Sequence, residues 1–305
     1  MSVKTLIVIA GPTAIGKTAL AIKVAKYFQA EILSADSRQF YREMSIGTAK
    51  PSVDELTEVK HHFINSSSIT DAATVGDFEK AGLSVLENLF KTNEIAVLAG
   101  GSGLFVQAIC KGFDELPSIT PGIRENLNKQ LDELGLESLQ NKLKDVDPIY
   151  YSAMDINNPQ RVIRALEVFI STKKPFSSFR QQNLSTRPFK VIKIGLNTTR
   201  ELLYNRINER VDTMMLAGLL DEVNSLKEFQ HLNALNTVGY AELFRHLNGE
   251  LTLDQAVSLI KQNTRRFAKR QLTWFRKDID MVWFEPEAPK IINYLQQKLL
   301  PKLER

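Results

Sequence analysis

Leu6-Ile7-Val8-Ile9-Ala10-Gly11-Pro12-Thr13-Ala14-Ile15-Gly16-Lys17-Thr18-Ala19-Leu20 carries three signals in a row. Leu6 to Ala10 is an unbroken apolar run, as expected of a strand buried on both faces. Gly11 to Thr18 interrupts it, and Ala19-Leu20-Ala21-Ile22 resumes in helix-prone residues. The local order is strand, loop, helix, and Gly11, Gly16, Lys17 and Thr18 meet the Walker A spacing. The glycines let backbone N–H groups close around phosphate oxygens. A helix starting at Lys17 adds the positive end of its dipole, Lys17 neutralises charge, and Thr18 offers a hydroxyl to Mg²⁺. Gly11, Pro12, Thr13, Ala14, Ile15, Gly16, Lys17 and Thr18 thus form the expected phosphate loop, with a ligand-free glycine turn as the alternative. Nucleoside triphosphates are the commonest occupants, so nucleotide and ATP binding is the first expectation. A Mg-bound pyrophosphate presents the same oxygens.

The bulk numbers set bounds. With 305 residues, 43% hydrophobic and 24% charged, the chain has an ordinary globular composition and sits near the size where one core gives way to two domains. No apolar run is long enough to span a bilayer, and Met1-Ser2-Val3-Lys4 leads straight into a strand, so a cytoplasmic protein without membrane association is expected. Cys110 is the single cysteine, which excludes an internal disulfide. A net charge of +4 is modest, so any nucleic-acid partner has to be read from where the charge sits.

Along the chain, Glu31 to Asp36 reads as a second short strand ending in a carboxylate. Ligands in parallel α/β sheets bind beyond the carboxyl ends of strands, which brings Asp36 near the phosphate loop as a Mg²⁺ ligand, a general base or simply a cap. Ser37 to Pro51 is polar, aromatic and glycine-broken. The adjacent His61 and His62 point to opposite sides of a strand, which favours a structural role. A helix over Val75 to Thr92 and a strand over Ile95 to Ala99 lead to Gly100-Gly101-Ser102-Gly103, a second glycine turn. Two such turns at one sheet edge suggest close backbone approach to a ligand.

Beyond Phe113 the strand pattern stops. Ile123 to Lys144 is helical, and a helix capped by Asn158 and begun by Pro159 turns Val162, Ile163, Leu166, Phe169 and Ile170 inward, with Arg161 and Arg164 elsewhere. Residues 113–188 therefore read as a helical insertion domain in an α/β, P-loop NTPase-like parallel sheet core formed by 1–112 and 189–305. After a strand at Val191 to Leu196, a long helix is expected from about Arg200 to Phe229. Its stripe is Leu203, Ile207, Val211, Met214 and Met215, with Arg206 and Arg210 placed to reach one anion. A helix from about Asp254 to Lys277 holds Lys261, Arg265, Arg266, Lys269, Arg270, Arg276 and Lys277 between Asp254 and Asp278, with Phe267, Leu272, Trp274 and Phe275 supplying packing. That density of one sign favours a phosphate backbone as partner. Val282 to Phe284 reads as an edge strand and Lys290 to Leu303 as a closing helix.

Together these motifs resemble the tRNA dimethylallyltransferases. The resemblance rests on residues 11 to 18, Asp36-Ser37-Arg38-Gln39, Ile46-Gly47-Thr48-Ala49-Lys50-Pro51 and Gly100-Gly101-Ser102-Gly103-Leu104. Asn158-Pro159-Gln160-Arg161, Arg164-Ala165-Leu166-Glu167, Val238-Gly239-Tyr240 and Lys269-Arg270-Gln271-Leu272-Thr273-Trp274-Phe275-Arg276 extend it to nearly the whole chain. Asn65, Ser102 and Phe105 depart from the family's usual Asp, Thr and Tyr. The resemblance implies transfer of a dimethylallyl group from dimethylallyl diphosphate to the exocyclic amine of the adenosine 3′ to the anticodon of tRNA. By the same resemblance Lys17, Thr18 and Thr13 hold the diphosphate and its Mg²⁺, Arg210 neutralises the departing charge, and Asp36 accepts the amine proton. The tRNA anticodon arm is expected on Asp36, Ser37, Arg38, Gln39, Ser102, Arg124, Gln160, Arg161, Val162, Ile163, Arg164, Asn236, Thr237, Val238, Gly239, Tyr240, Ala241, Lys269, Arg270, Gln271, Leu272, Thr273, Trp274, Phe275 and Arg276, with the chain acting as a monomer. A small-molecule kinase and an RNA-binding ATPase switch are the rival readings of the loop.

Overall fold

The computed structural model describes residues 3–71, 74–114, 116–180 and 186–299. In chain order the elements are β1 (Thr5–Ala10), α1 (Lys17–Phe28), β2 (Ile32–Ser34), α2 (Val53–Glu58), β3 (His61–His62), α3 (Val75–Thr92), β4 (Ile95–Gly100), α4 (Gly103–Lys111), α5 (Ile123–Val146), α6 (Pro148–Ala153), α7 (Pro159–Thr172), β5 (Lys190–Leu196), α8 (Arg200–Leu216), α9 (Leu219–Ser225), α10 (Tyr240–Leu247), α11 (Leu253–Phe275), β6 (Met281–Phe284) and α12 (Ala288–Leu299). The chain divides into two compact units, one built from residues 1–110 with 187–305 and the other from 111–186.

The first unit is an α/β fold around a six-stranded sheet of order β3-β2-β4-β1-β5-β6, with every pairing parallel. β1 is fully buried, and its side chains alternate between two cores. Ile7 and Ile9 join the cluster beneath α1, α8 and α12, whereas Leu6 and Val8 join Phe78, Leu86 and Ile109 on the opposite face. That is why the run from Leu6 to Ala10 shows no apolar–polar alternation. β1 lies between β4 and β5, so the loop after it opens where the strand order reverses, the place where such sheets bind ligands. A third core packs α9 and α10 against α11 through Leu219, Val223, Leu243 and Ile260.

The stretch expected as one helix from Arg200 to Phe229 is two helices. Gly218 adopts φ 94°, a left-handed value that ends α8 and starts α9 at an angle. Leu203, Ile207 and Val211 are buried as expected, while Met214 and Met215 are only partly buried. The closing helix begins at Ala288, and its expected last residues, 300–303, lie outside the described residues.

The second unit is helical. α5, α6 and α7 enclose Leu127, Leu139, Leu143, Val162, Ile163 and Leu166. Gly135 leaves helical geometry at φ 76° and divides α5 in the middle. Ile170, expected inside, is exposed, and Val168 is buried in its stead. Two buried carboxylates pin this unit. Glu167 accepts a two-point contact from Arg124 (2.6 and 3.1 Å) and a longer one from Arg164 (3.5 Å), and Asp147 accepts the N–H groups of Tyr150 and Ser177. No helix among the described residues is long and apolar enough to cross a membrane.

Candidate active site

The phosphate loop keeps the open shape that anion binding needs. Gly16 has φ 97°, and a Cβ added there would meet nothing within 4 Å. Its glycine therefore answers to backbone conformation and to the space in front of it. Ala14 also takes a left-handed φ of 63°, a conformation that costs an L-residue about 1–2 kcal/mol. Lys17 Nζ donates to the Pro12 carbonyl at 2.7 Å and so folds over the loop. Burial pushes its pKa down to about 8 against the opposing charge of Asp36, and Arg210 lowers it further. Arg210 Nη1 stands 3.5 Å from Thr13 Oγ1, and Arg206 Nη1 stands 3.5 Å from the Ile15 carbonyl. Two arginines spaced one turn apart on α8 thus converge on one loop. Burial lowers the Arg210 pKa, with Asp36 and Glu55 opposing.

Asp36 lies just past the end of β2, where its Oδ1 accepts the Arg38 N–H at 3.0 Å. Ser37 N donates to Ser102 Oγ (3.0 Å), which ties the β2 and β4 strand ends together. Asp36 faces an open pocket whose wall includes Lys17, Thr18, Ser34, Gln39, Pro51 and His61. The paired histidines have separate partners. His61 Nδ1 contacts the Val59 carbonyl at 2.8 Å and His62 Nε2 the Glu31 carboxylate at 2.6 Å. Asn65, at φ 54°, accepts from Lys50 Nζ at 2.6 Å.

The second glycine turn differs from its sequence reading. A Cβ on Gly100 would collide with the Ala35 backbone, on Gly101 with Gln271 Nε2, and on Gly103 with the Trp274 ring. These glycines admit neighbouring protein, and a ligand is not what requires them. Gln271 is the link that sequence reasoning misplaced. It is buried, its Oε1 accepts the Thr13 N–H at 2.8 Å, and its Nε2 donates to the Gly101 carbonyl at 2.9 Å. One side chain on α11 thereby braces the phosphate loop against the second turn.

Several residues expected on a tRNA surface turn out to be interior. Val162 and Ile163 form the core of the helical unit, and Tyr240 and Phe275 are buried in the α/β unit, as is Gln271. Gly239 is buried with its N–H on Glu242 (2.8 Å), and Leu272 and Val238 are half-buried against their cores. Their pattern in the sequence reports packing that supports a surface. Asp36, Ser37, Arg38, Gln39 and Ser102 gather at the strand ends with the loop. Asn236, Lys269, Arg270, Thr273, Trp274 and Arg276 are exposed on the same unit, with Thr237 and Ala241 half-buried. Gln160 and Arg161 are exposed on the helical unit, where Arg124 and Arg164 are held by Glu167.

The basic helix is also less uniform than its composition. Lys261 pairs with Asp212 (2.6 Å), and Arg265 donates to Asn208 (2.7 Å) and lies over Tyr204, so its first half is engaged by α8. Lys269 and Arg270 near its end and Arg276 and Lys277 just beyond it are exposed, and Phe267 and Trp274, expected to pack, show 38% of their surface.

A description of the IPP transferase family matches residues 39–278. The chain belongs to the IPP transferase family. Relatives in it include the tRNA dimethylallyltransferase of Christiangramia forsetii, 54% identical over 96% of this chain and 98% of that protein, and that of Flavobacterium johnsoniae, 50% identical over 97% and 98%. The full-length tRNA isopentenylpyrophosphate transferase from Bacillus halodurans superposes with a TM-score of 0.72 at 34% identity, covering 97% of each chain. A eukaryotic dimethylallyltransferase caught in crystallographic snapshots acting on tRNA gives 0.76 at 27% identity, over 97% of this chain and 78% of that one. Membership in the IPP transferase family agrees with a phosphate loop set at the switch point of a parallel sheet.

Proposed function

We propose that the chain transfers a dimethylallyl group from dimethylallyl diphosphate to the exocyclic amine of the adenosine 3′ to the anticodon, working as a cytoplasmic monomer on the anticodon arm of tRNA. The observation that carries this is a pocket lined by both Lys17 and Asp36 beside a phosphate loop that Arg210 reaches at Thr13, in a member of this family. The amine nitrogen forms a bond to the allylic C1 as the C1–O bond breaks. The electron pair leaves with the diphosphate, and the amine proton passes to the Asp36 carboxylate. Lys17, the loop N–H groups, Thr13 and Arg210 stabilise the charge that gathers on the leaving oxygens. Arg210 stays charged while desolvated, which suits that work.

The donors facing the pocket from Thr18, Ser34 and Asp36 are oxygens, the hard set that Mg²⁺ prefers. Among the described residues no cluster of three His, Cys, Asp or Glu side chains could cage a metal, which fits an ion held largely by the substrate's own phosphates with Thr18 as the protein ligand. Bound there, Mg²⁺ supplies further neutralisation of the diphosphate.

The target adenine has to leave its stack to reach Asp36, as in other enzymes that act on a base. The exposed residues at the end of α11, Lys269, Arg270 and Trp274, with Arg276 just beyond it, supply charge for phosphates and an aromatic face for a base. Incubating undermodified tRNA with dimethylallyl diphosphate tests the reading by mass spectrometry of the tRNA. A gain of one dimethylallyl group per molecule is expected. A tRNA left unmodified by dimethylallyl diphosphate but altered with ATP would favour a kinase.

A further inference from the structure

The Ile46–Pro51 motif contributes to the family resemblance, yet none of its side chains has a part in the chemistry above. One carboxylate holds the start of its backbone. The Glu222 carboxylate, on α9, accepts the N–H groups of Ser45 (2.9 Å), Ile46 (2.7 Å) and Gly47 (3.0 Å), together with the Tyr240 hydroxyl (2.5 Å). Three successive amides turned toward one carboxylate form an anion nest whose anion is part of the protein. Tyr240 is fully buried, and a Cβ on Gly47 would lie 2.5 Å from its ring, so only glycine lets the loop sit that close. Burial and the Glu222 charge both raise the Tyr240 pKa, which keeps its hydroxyl a donor.

The far side of the same loop faces the reaction. The Thr48 and Ala49 carbonyls each accept from Gln39 Nε2 at 3.1 Å, and Gln39 Oε1 accepts the Ser34 hydroxyl at 3.3 Å. Gln39, Ser34 and Pro51 line the pocket that Asp36 and Lys17 share. A hydrogen-bonded path therefore runs from Glu222 through the loop backbone to the pocket wall.

We propose that Glu222 is a positioning residue of the transfer reaction, holding the 45–51 loop so that Gln39 and Pro51 keep the pocket shaped for an allylic diphosphate beside Asp36. This role rests on the reaction proposed above. Glu222 meets no substrate and acts through the loop. Without its carboxylate the three amides turn to water, which satisfies them without fixing where they lie. A displacement of about 1 Å next to the reacting atoms is enough to cost about a hundredfold in rate.

Hydrogen exchange and single-turnover transfer on the full chain test the proposal together. In Glu222→Ala, exchange at the 45–47 amides should accelerate about tenfold or more, as expected when a net contribution of over a kcal/mol per bond is removed. The transfer step should slow about ten- to hundredfold while tRNA affinity stays near that of the parent, and the melting temperature should fall as the buried Tyr240 hydroxyl loses its acceptor. Glu222→Gln, which keeps one acceptor oxygen, should recover part of the rate, and Gly47→Ala should reproduce the rate loss by displacing the loop from the Tyr240 side. A Glu222→Ala protein with parental rate and parental protection at 45–47 would overturn the proposal, and so would a lowered melting temperature with no change in rate. If the unaltered chain fails to prenylate tRNA, the reaction itself is refuted and the positioning role falls with it. The exchange data judge the hold of Glu222 on the loop independently.

Discussion

Two glycine-rich turns leave the same edge of the sheet, and Gly16 in the first is there for a different reason from the three glycines of the second. After β1, Gly16 bends the chain into a left-handed conformation that faces open space. After β4, Gly100, Gly101 and Gly103 remove side chains so that Ala35, Gln271 and Trp274 can press against the backbone. In the first turn only Gly16 faces open space, since Gly11 makes room for Leu196 much as the glycines of the second turn make room for their neighbours. Composition does not separate the two cases, because glycine is used for both reasons. Only the positions of surrounding atoms do.

Asp36 stands past the end of β2, next to the second turn, and shares a pocket with Lys17 of the first, and removing it should have the largest effect. Asp36→Ala should lower the transfer rate by about a hundred- to ten-thousandfold, the range for general-base catalysis, with tRNA affinity unchanged by filter binding. A variant with full activity would take the base out of the site and leave only the turns to compare.

Substituting the turns themselves sharpens the contrast. Gly16→Ala should slow transfer by about tenfold or more, because the left-handed strain of about 1–2 kcal/mol is relieved only by moving the loop out of its anion-binding shape. Gly101→Ala should instead destabilise the fold by about 1–3 kcal/mol by urea denaturation, because a methyl there overpacks against Gln271. If both variants lost only activity, the second turn would also be ligand-facing.

Lys17 gives the first turn a pH signature. Its pKa is held near 8, so the free protein carries this charge below that pH and loses it above. Pyrophosphate affinity measured by calorimetry should be flat up to about pH 7.5 and weaken as the pH rises through 8, and Lys17→Met should abolish that step. Stability follows the opposite sign. Between pH 8 and 10.5 the unfolded chain binds the extra proton, so the contribution of Lys17 to stability improves as the pH rises through that window.

The smallest effect belongs to the exposed residues at the end of α11. Arg270→Ala should reduce the slope of log affinity for tRNA against log salt by about one, with little change in the transfer rate at saturating tRNA. An unaltered slope would place the tRNA elsewhere.

Much of this was legible in the residues alone. The phosphate loop, the buried β1 run and the limits of α3 follow from local patterns that the tertiary structure does not override. Gly218 was legible as a glycine and not as a break, since α8 and α9 share one apolar stripe across it. The misplaced contact residues have a common cause. Val162, Ile163, Tyr240 and Gln271 stand beside exposed partners on the same helices, and a motif records a segment without saying which face looks outward. Glu222 left no local sign at all, because its amide partners lie about 175 positions away in the chain. A hydrogen bond of that separation is created by the fold.

The most direct test of the central claim is to count what leaves the phosphate loop. With undermodified tRNA and dimethylallyl diphosphate, one pyrophosphate should be released for each prenylated adenosine, and none in the absence of tRNA. Release of orthophosphate or ADP from ATP, with no requirement for the allylic diphosphate, would contradict it.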